Sequence, residues 1–457
     1  MLTPQWVAKA VEGKLVRAQA TAVQGFSVDS RTLNPRQFFV ALKGKNRDGH
    51  DFLDQAFQQG ATGALISDPQ RAKAHHHNLV VVDDTAQGLQ QMARRYRLLF
   101  QTPLIGVTGS VGKTTTKELL GRLLQTRLKA YYSPGNFNNE VGLPLSLLNM
   151  PFGTDTGVFE LATQRPGELK AISELLGPSV GIITTVTDAH VGHFADSKQL
   201  ADEKWALIDA LPLAGGIVVI NADNPPLWNR STQQRFRVDF GIRQPHVSYR
   251  AEAIELHDLE GMSFTLAHPL GRVRLRTKLL GTHNVYNILA AVAVAMEMRV
   301  EAEAVQQVVA DLPPYPHRLE CKPSRFGTIV DDCYNASPSA VHAALCAFSQ
   351  FNTSQNKVFV FGDMLELGEH ALDYHQQVAQ WVQASNVTQV FTVGNLAAET
   401  AHTLQMQHGW PEKLAQATHS LDELKSHLNH SLKQQDNLIL VKGSRLLALD
   451  QLVDQLA

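Results

Sequence analysis

Short apolar runs separated by stretches of helical spacing dominate the chain. Up to about Asp84 such runs alternate with turn residues, as in Gln37-Phe-Phe-Val-Ala-Leu42 before Lys43-Gly-Lys-Asn-Arg-Asp-Gly-His50, which predicts a small α/β unit with a polar loop. From Pro103 a strand, Leu104-Ile-Gly-Val107, enters a glycine-rich turn. Leu119, Leu120, Leu123, Leu124 and Leu128 then keep helical spacing. Further strands are expected at Gly157–Glu160, Gly181–Val186 and Gly215–Ile220. Strands divided by helical text imply a parallel sheet covered by helices.

Between Ser248 and Leu279 the period changes to two. In Arg272-Val-Arg-Leu-Arg-Thr-Lys-Leu279 the apolar Val273, Leu275 and Leu279 alternate with charge, as half-exposed antiparallel strands do. A helix is expected from about Asn284 to Met298, and Leu312-Pro-Pro-Tyr-Pro-His317 is stiff enough for an interdomain linker. Beyond it, strands at Thr328–Asp331, Lys357–Phe361, Gln389–Val393 and Asn437–Val441 predict another α/β unit. The chain thus reads as α/β throughout, in three units: 1–83, 84–312 and 313–457.

Composition narrows the class further. A length of 457 residues suits about three domains at roughly 150 residues each. Lys+Arg 41 against Asp+Glu 43 leaves a net charge of -2, which gives no overall basic balance for nucleic acid. With 44% hydrophobic and 18% charged residues, packed globular units are expected. Cys321, Cys333 and Cys346 lack CxxC spacing, so neither a disulfide framework nor a zinc site is predicted. No apolar stretch approaches the roughly 20 residues of a membrane span, and Met1-Leu-Thr-Pro-Gln-Trp carries no secretory signal. A cytoplasmic home is expected. His75-His-His77 reads as a surface loop, because consecutive side chains do not converge on a metal without a special turn.

Gly106-Val-Thr-Gly-Ser-Val-Gly-Lys-Thr114 carries the strongest chemistry. It joins strand to helix, the setting in which backbone N–H groups and a helix N-terminus wrap phosphate oxygens. Thr108, Gly109, Ser110, Val111 and Gly112 would form the cradle, Lys113 would reach the terminal phosphates and Thr114 would offer a hydroxyl to Mg²⁺. The match is to a shorter variant of GxxxxGK[ST], because Val107 stands where that pattern has glycine. Downstream, Glu160 ends a strand, His190 follows another, and Lys204 sits in helical text. The C-terminal ends of parallel strands share one edge, so Glu160 and His190 are candidates to face the loop. Each also has an ordinary reading as a solvated acid, a satisfied polar ring or a surface lysine.

A resemblance over nearly the whole chain bears on these alternatives. Thr108-Gly-Ser-Val-Gly-Lys-Thr-Thr115, Gly135-Asn-Phe-Asn-Asn-Glu-Val-Gly-Leu-Pro144, His283-Asn-Val-Tyr-Asn287, Asp331-Asp-Cys-Tyr-Asn-Ala-Ser-Pro338, Gly362-Asp-Met-Leu-Glu-Leu-Gly368 and Val441-Lys-Gly-Ser-Arg445 resemble the Mur ligases, ATP-dependent amide-forming enzymes of peptidoglycan precursor synthesis. The Asn-Phe-Asn-Asn and Asp-Asp-x-Tyr-Asn-Ala runs are similar to the D-alanyl-D-alanine-adding members. The chain departs from the family pattern at Ala162, at Thr185-Val-Thr-Asp188, at Ser337 and at His317, which stands where glycine is usual.

The resemblance implies a three-domain architecture with a central P-loop sheet and a Rossmann-like C-terminal unit. It implies that D-alanyl-D-alanine is joined to UDP-MurNAc-tripeptide through an acyl phosphate made from ATP. It places Thr114 and Glu160 by one Mg²⁺, His190 and a carbamylated Lys204 by a second, Asn284 near adenine, and Arg318 and Asp332 on the nucleotide. Ser30, Arg31, Lys43, Asn138 and Asn139 are the implied substrate contacts, with Arg31 and Lys43 serving the diphosphate. Oligomeric state is left open, a monomer being compatible. The competing readings are a MurE-like or folylpolyglutamate-synthase-like ligase using another amine, and a nucleotide-switched binding protein in which Glu160, His190 and Lys204 are dispensable.

Overall fold

A computed structural model describes the chain apart from residues 1, 18, 20, 45, 75–76, 188–193, 195, 232–235 and 433–436 and the side chains of 72–74, 197 and 408. Among the described residues three sheets, of five, nine and six strands, succeed one another along it. Among the described residues no helix is long and apolar enough to cross a membrane.

The nine-stranded sheet places the glycine-rich loop. Its strand Leu104–Thr108 is buried at every position and lies between Thr156–Glu160 and Val180–Ile183, parallel to both. Such continuous apolar text is what a strand covered on both faces requires. The helix Lys113–Gln125 follows and buries Leu119, Leu120, Leu123 and Leu124, the spacing read from the sequence. The period-two region forms strands Tyr249–Leu256, Met262–His268 and Gly271–Thr277, antiparallel as expected. They extend the same sheet, joined through Arg237–Gly241. That strand and Ala130–Tyr132 at the far edge were not anticipated; both are only partly buried. The expected helix at Asn284 runs over Thr282–Glu297 and is buried along most of its length.

In the third unit the four expected strands occupy Gly327–Asp331, Asn356–Gly362, Gln389–Val393 and Asn437–Lys442. They are mutually parallel in the order first, fourth, second, third. Glu320–Ser324 adds an antiparallel edge and Ala415–Thr418 a parallel one. The turns after Asp331, Gly362 and Lys442 therefore leave from one sheet edge, where ligands bind in open α/β sheets.

The first unit docks on the second through the Asn149 amide. Its Oδ1 accepts from Phe26 N at 3.0 Å and its Nδ2 donates to Phe26 O at 3.0 Å. One apolar cluster runs on from there, from Val7, Phe38 and Leu89 to Leu143, Leu147 and Phe159.

Candidate active site

The glycine-rich loop takes its shape from two positions that exclude side chains. Gly109 and Gly112 have φ of 146° and 86°. A Cβ on Gly112 would collide with the Asn287 amide, and one on Gly109 with the Thr184 hydroxyl. Thr184 Oγ1 donates to Val111 O at 2.6 Å, and Ser110 N donates to Thr185 O at 2.8 Å, which pins the loop to the end of the adjacent strand. The Lys113 ammonium folds back onto Gly109 O at 2.8 Å and Ser110 O at 3.3 Å. Enclosure of that ammonium pushes its pKa down; Glu160 opposes the shift and Arg318 adds to it.

Thr114 opens the helix with its hydroxyl donating to Glu160 Oε2 at 2.9 Å. The other oxygen, Glu160 Oε1, accepts from Asn138 Nδ2 at 2.7 Å. Glu160 is 2% exposed, so these bonds orient a carboxylate that water barely reaches. A hydroxyl and a carboxylate side by side are hard oxygen donors of the kind Mg²⁺ takes. The donor set fits that ion.

Arg318 arrives from the third unit, its Nη2 3.4 Å from Thr114 Oγ1 and its guanidinium 4.3 Å above the Tyr334 ring. Its Nε is buried with no hydrogen-bond partner among the described residues. Asp332 Oδ2 receives Lys442 Nζ at 2.6 Å. The cations Lys113, Arg318, Lys442 and Arg445 thus line one cleft of about 470 Å³ between the second and third units. His283, on its wall, has its pKa pushed down to about 4 by burial, with Lys442 and Arg318 adding to the shift and Asp332 opposing it. It is neutral near pH 7. A concave site rich in cations with one unpartnered buried donor suits a polyanion. Thr187 and Ser339 also bond across the two units, Oγ1 to Oγ, at 2.8 Å. A larger cavity of about 780 Å³, walled by Trp205, Tyr374 and Trp381, carries no phosphate-binding loop.

Lys204 lies on the helix Ser197–Asp209 and is 1% exposed. Burial lowers its pKa to about 7; Lys113 pushes the same way, and Glu203 and Glu168 oppose. His190 lies outside the described residues, as do His75 and His76; His77 is exposed and stacks on Phe57 at 3.9 Å.

The remaining candidates divide. Asn284 lines the cleft, but its Nδ2 donates to Leu280 O at 2.8 Å and its Oδ1 accepts from Asn287 at 2.9 Å. The Asn139 amide oxygen accepts from Val141 N at 3.2 Å and from Gly142 N, at the start of the next helix, at 2.8 Å. Ser30, Arg31 and Lys43 belong to the first unit and are not among the residues lining the cleft. The Ser30 hydroxyl donates to Gln55 at 2.8 Å. Arg31 is exposed and paired doubly with Asp29, whose carboxyl that partner holds at about 2. Lys43 is exposed.

Three residues were not singled out by sequence. Lys442 and His283 sit inside quoted motifs without an assigned role. Lys117 is fully buried and donates to Ser133 O at 2.7 Å and Gly135 O at 2.9 Å, tying the helix to the loop that carries Asn138. Its signal was positional, since it shares a helix face with Leu120 and Leu124.

The chain is similar along its length to proteins of one family. The Mur ligase middle domain model matches residues 107–295, the Mur ligase glutamate ligase domain model residues 317–445, and the Mur ligase family catalytic domain model residues 22–97. The chain is 32% identical over 453 residues to UDP-N-acetylmuramoyl-tripeptide--D-alanyl-D-alanine ligase of Bacillus subtilis (strain 168), covering 98% of this chain and 97% of the relative. MurF from Acinetobacter baumannii superposes with a TM-score of 0.87 at 26% identity, covering 99% of this chain and 98% of that one. MurF ligase from Thermotoga maritima in complex with ADP gives 0.79 at 25% identity, covering 95% and 97%. A P-loop bonded to an acid and closed over by an arginine from a third α/β unit, in a chain that aligns end to end with these ligases, places the protein in the Mur ligase family.

Proposed function

We propose that the chain joins D-alanyl-D-alanine to UDP-MurNAc-tripeptide, consuming ATP and releasing ADP and phosphate, in the cytoplasm. The observation that carries this reading is the cleft between the second and third units, where Lys113, Thr114, Glu160 and Arg318 converge. Relatives of full-length coverage that carry this ligase's name support it.

A carboxylate is a poor electrophile, and phosphoryl transfer supplies a leaving group. The tripeptide carboxylate attacks the γ-phosphorus of ATP, and ADP departs. The amine of D-alanyl-D-alanine then attacks the acyl carbon, expelling phosphate and losing a proton as the amide forms. Carboxylate and triphosphate repel each other, so the site has to concentrate positive charge where they meet. Lys113 bonds the transferring oxygens after leaving the loop carbonyls that hold it here. Arg318 reaches the phosphates from the opposite wall, and its approach shuts out water that would hydrolyse the acyl phosphate.

Thr114 and Glu160 would hold one Mg²⁺, with Asn138 fixing the Glu160 carboxylate. When bound, the ion screens charge on the attacking and leaving oxygens. His190 and Lys204 are the proposed holders of a second. A neutral Lys204 amine adds CO₂ and loses a proton to become a carbamate, exchanging a cation for an oxygen ligand. The lowered Lys204 pKa supports this role, because the neutral form is then well populated near pH 7.

The test is ADP release measured with each substrate omitted in turn, with the pentapeptide product identified by mass. Release that requires both UDP-MurNAc-tripeptide and D-alanyl-D-alanine carries the reading. Release with a single amino acid in place of the dipeptide favours the MurE-like or folylpolyglutamate-synthase-like alternative, and nucleotide binding without ligation favours the switch.

A further inference from the structure

Arg318 sits in a turn that the backbone does not adopt freely. His317 and Leu319, on either side, have φ of 62° and 49°, in the left-handed region that side chains disfavour. Such a turn persists only where its surroundings over-determine it. Leu319 N donates to Asp332 Oδ1 at 3.3 Å, and Tyr334 N donates to His317 O at 3.2 Å. His317 N donates to Glu320 Oε2 at 3.2 Å. The His317 ring adds a tether from the turn's own side chain, with Nδ1 2.8 Å from Asp331 Oδ2. A carboxylate only accepts, so Nδ1 carries the proton.

Asp331 is an anchor of the right kind. It ends the strand Gly327–Asp331 and is 0% exposed. Burial opposes its ionisation, but hydrogen bonds from Cys333, Lys322 and His317 outweigh burial and hold its pKa below the ordinary carboxylate value. The tether is therefore charge-assisted and fastened to a rigid strand end. His317, Asp331 and Cys333 also cluster closely enough to surround a cation. Lys322 Nζ already lies 2.8 Å from the same Asp331 oxygen, so the charge there is met within the protein.

We infer that His317 is a positioning residue for the nucleotide. Through Asp331 it holds the strained turn that aims Arg318 at Thr114. The inference rests on the reading of Arg318 as a nucleotide contact. The ring itself lies only partly buried, and its loss leaves Asp331 with Lys322 and the Cys333 backbone. What goes is the aim of the turn, with the fold retained.

The experiment measures KM for ATP and kcat in the full-length enzyme for His317→Gly, His317→Asn, Arg318→Ala and the double variant His317→Gly/Arg318→Ala. Glycine accepts the positive φ without strain and removes the ring's bond to Asp331 together with its 3.7 Å contact to Cys333 Sγ, so KM for ATP should rise about tenfold, the scale of one charge-assisted hydrogen bond, while kcat stays within about twofold. Asparagine tolerates the same backbone and offers an amide donor, so it should recover most of the loss. The double variant should bind ATP no worse than Arg318→Ala, because a residue acting only through another adds nothing once that other is gone. An unchanged KM in His317→Gly beside a raised KM in Arg318→Ala overturns the positioning role, as do additive losses in the double variant. An unchanged KM in Arg318→Ala removes the nucleotide reading of Arg318 itself, and the inference with it.

Discussion

The Thr114 hydroxyl stands between Glu160 and Arg318. It donates to the acid at 2.9 Å and lies 3.4 Å from the guanidinium, so a residue of the second unit links an anion beside it in the same unit to a cation brought by the third. That hydroxyl and carboxylate are the proposed holders of Mg²⁺, and Arg318 is the proposed phosphate contact of the third unit.

Lys113→Ala should lower kcat by roughly 10²–10³, the cost of losing one preorganised donor at the transferring group. Steady-state rates beside far-ultraviolet circular dichroism check this. Among the described residues its ammonium bonds two loop carbonyls, so the fold should survive. A kcat within about threefold of the parent refutes the phosphate role.

Arg318→Ala should weaken nucleotide-driven compaction of the chain. Its contact with Thr114 spans the second and third units at the phosphate loop, as the Thr187–Ser339 bond does nearby. Small-angle scattering with and without ATP and UDP-MurNAc-tripeptide reads the change. Identical profiles in every ligand state would rule out closure.

Lys204→Ala and Lys204→Arg should both largely abolish ligation, since neither can form a carbamate, and a short carboxylic acid should restore part of the activity of the alanine variant. Full activity in Lys204→Arg would mean that a positive charge suffices there. The lysine titrates near 7, below its ordinary 10.5, so the neutral amine gains population as pH rises through that value. A carbamate signal from ¹³C-labelled CO₂ should grow over the same interval at fixed dissolved CO₂. Between the two pKa values the unfolded chain holds the extra proton, so this residue's burial costs less stability as pH rises.

Gly112→Ala should destabilise the protein by about 1–3 kcal/mol, the range for a side chain forced into a left-handed backbone. Its φ is 86° and its Cβ would meet the Asn287 amide. A lowered melting temperature with weakened ATP binding is the expected result. Unchanged stability and affinity would mean that the loop relaxes at no cost.

The sequence disclosed what is local. The glycines of the phosphate loop and the helical leucines after it sit within one stretch of chain, and each states its own geometry. The four central strands of the third unit were equally plain, because buried parallel strands leave largely apolar text, whereas its edge strands Glu320–Ser324 and Ala415–Thr418 were not read. The order of those strands was not, since pairing of Gly327–Asp331 with Asn437–Lys442 depends on contacts far apart in sequence. The same limit hid Lys117, whose partners are carbonyls of another loop, and the division of labour between Asn138 and Asn139, adjacent residues that face an acid and a helix end. Family resemblance named Arg318, whereas the Asp331–His317 bond beneath it arises only when linker and strand meet.

The Asn149 amide, bonded both ways to Phe26 inside a continuous apolar cluster, bears on how such a chain diversifies. Its first unit is no detachable cassette. Grafting in the matching unit of a distant relative would pair foreign apolar side chains with Leu143, Leu147 and Phe159 and leave gaps or clashes between them. Change in the first unit is thus accommodated more readily at exposed positions such as Arg31 and Lys43 than by exchange of the whole unit.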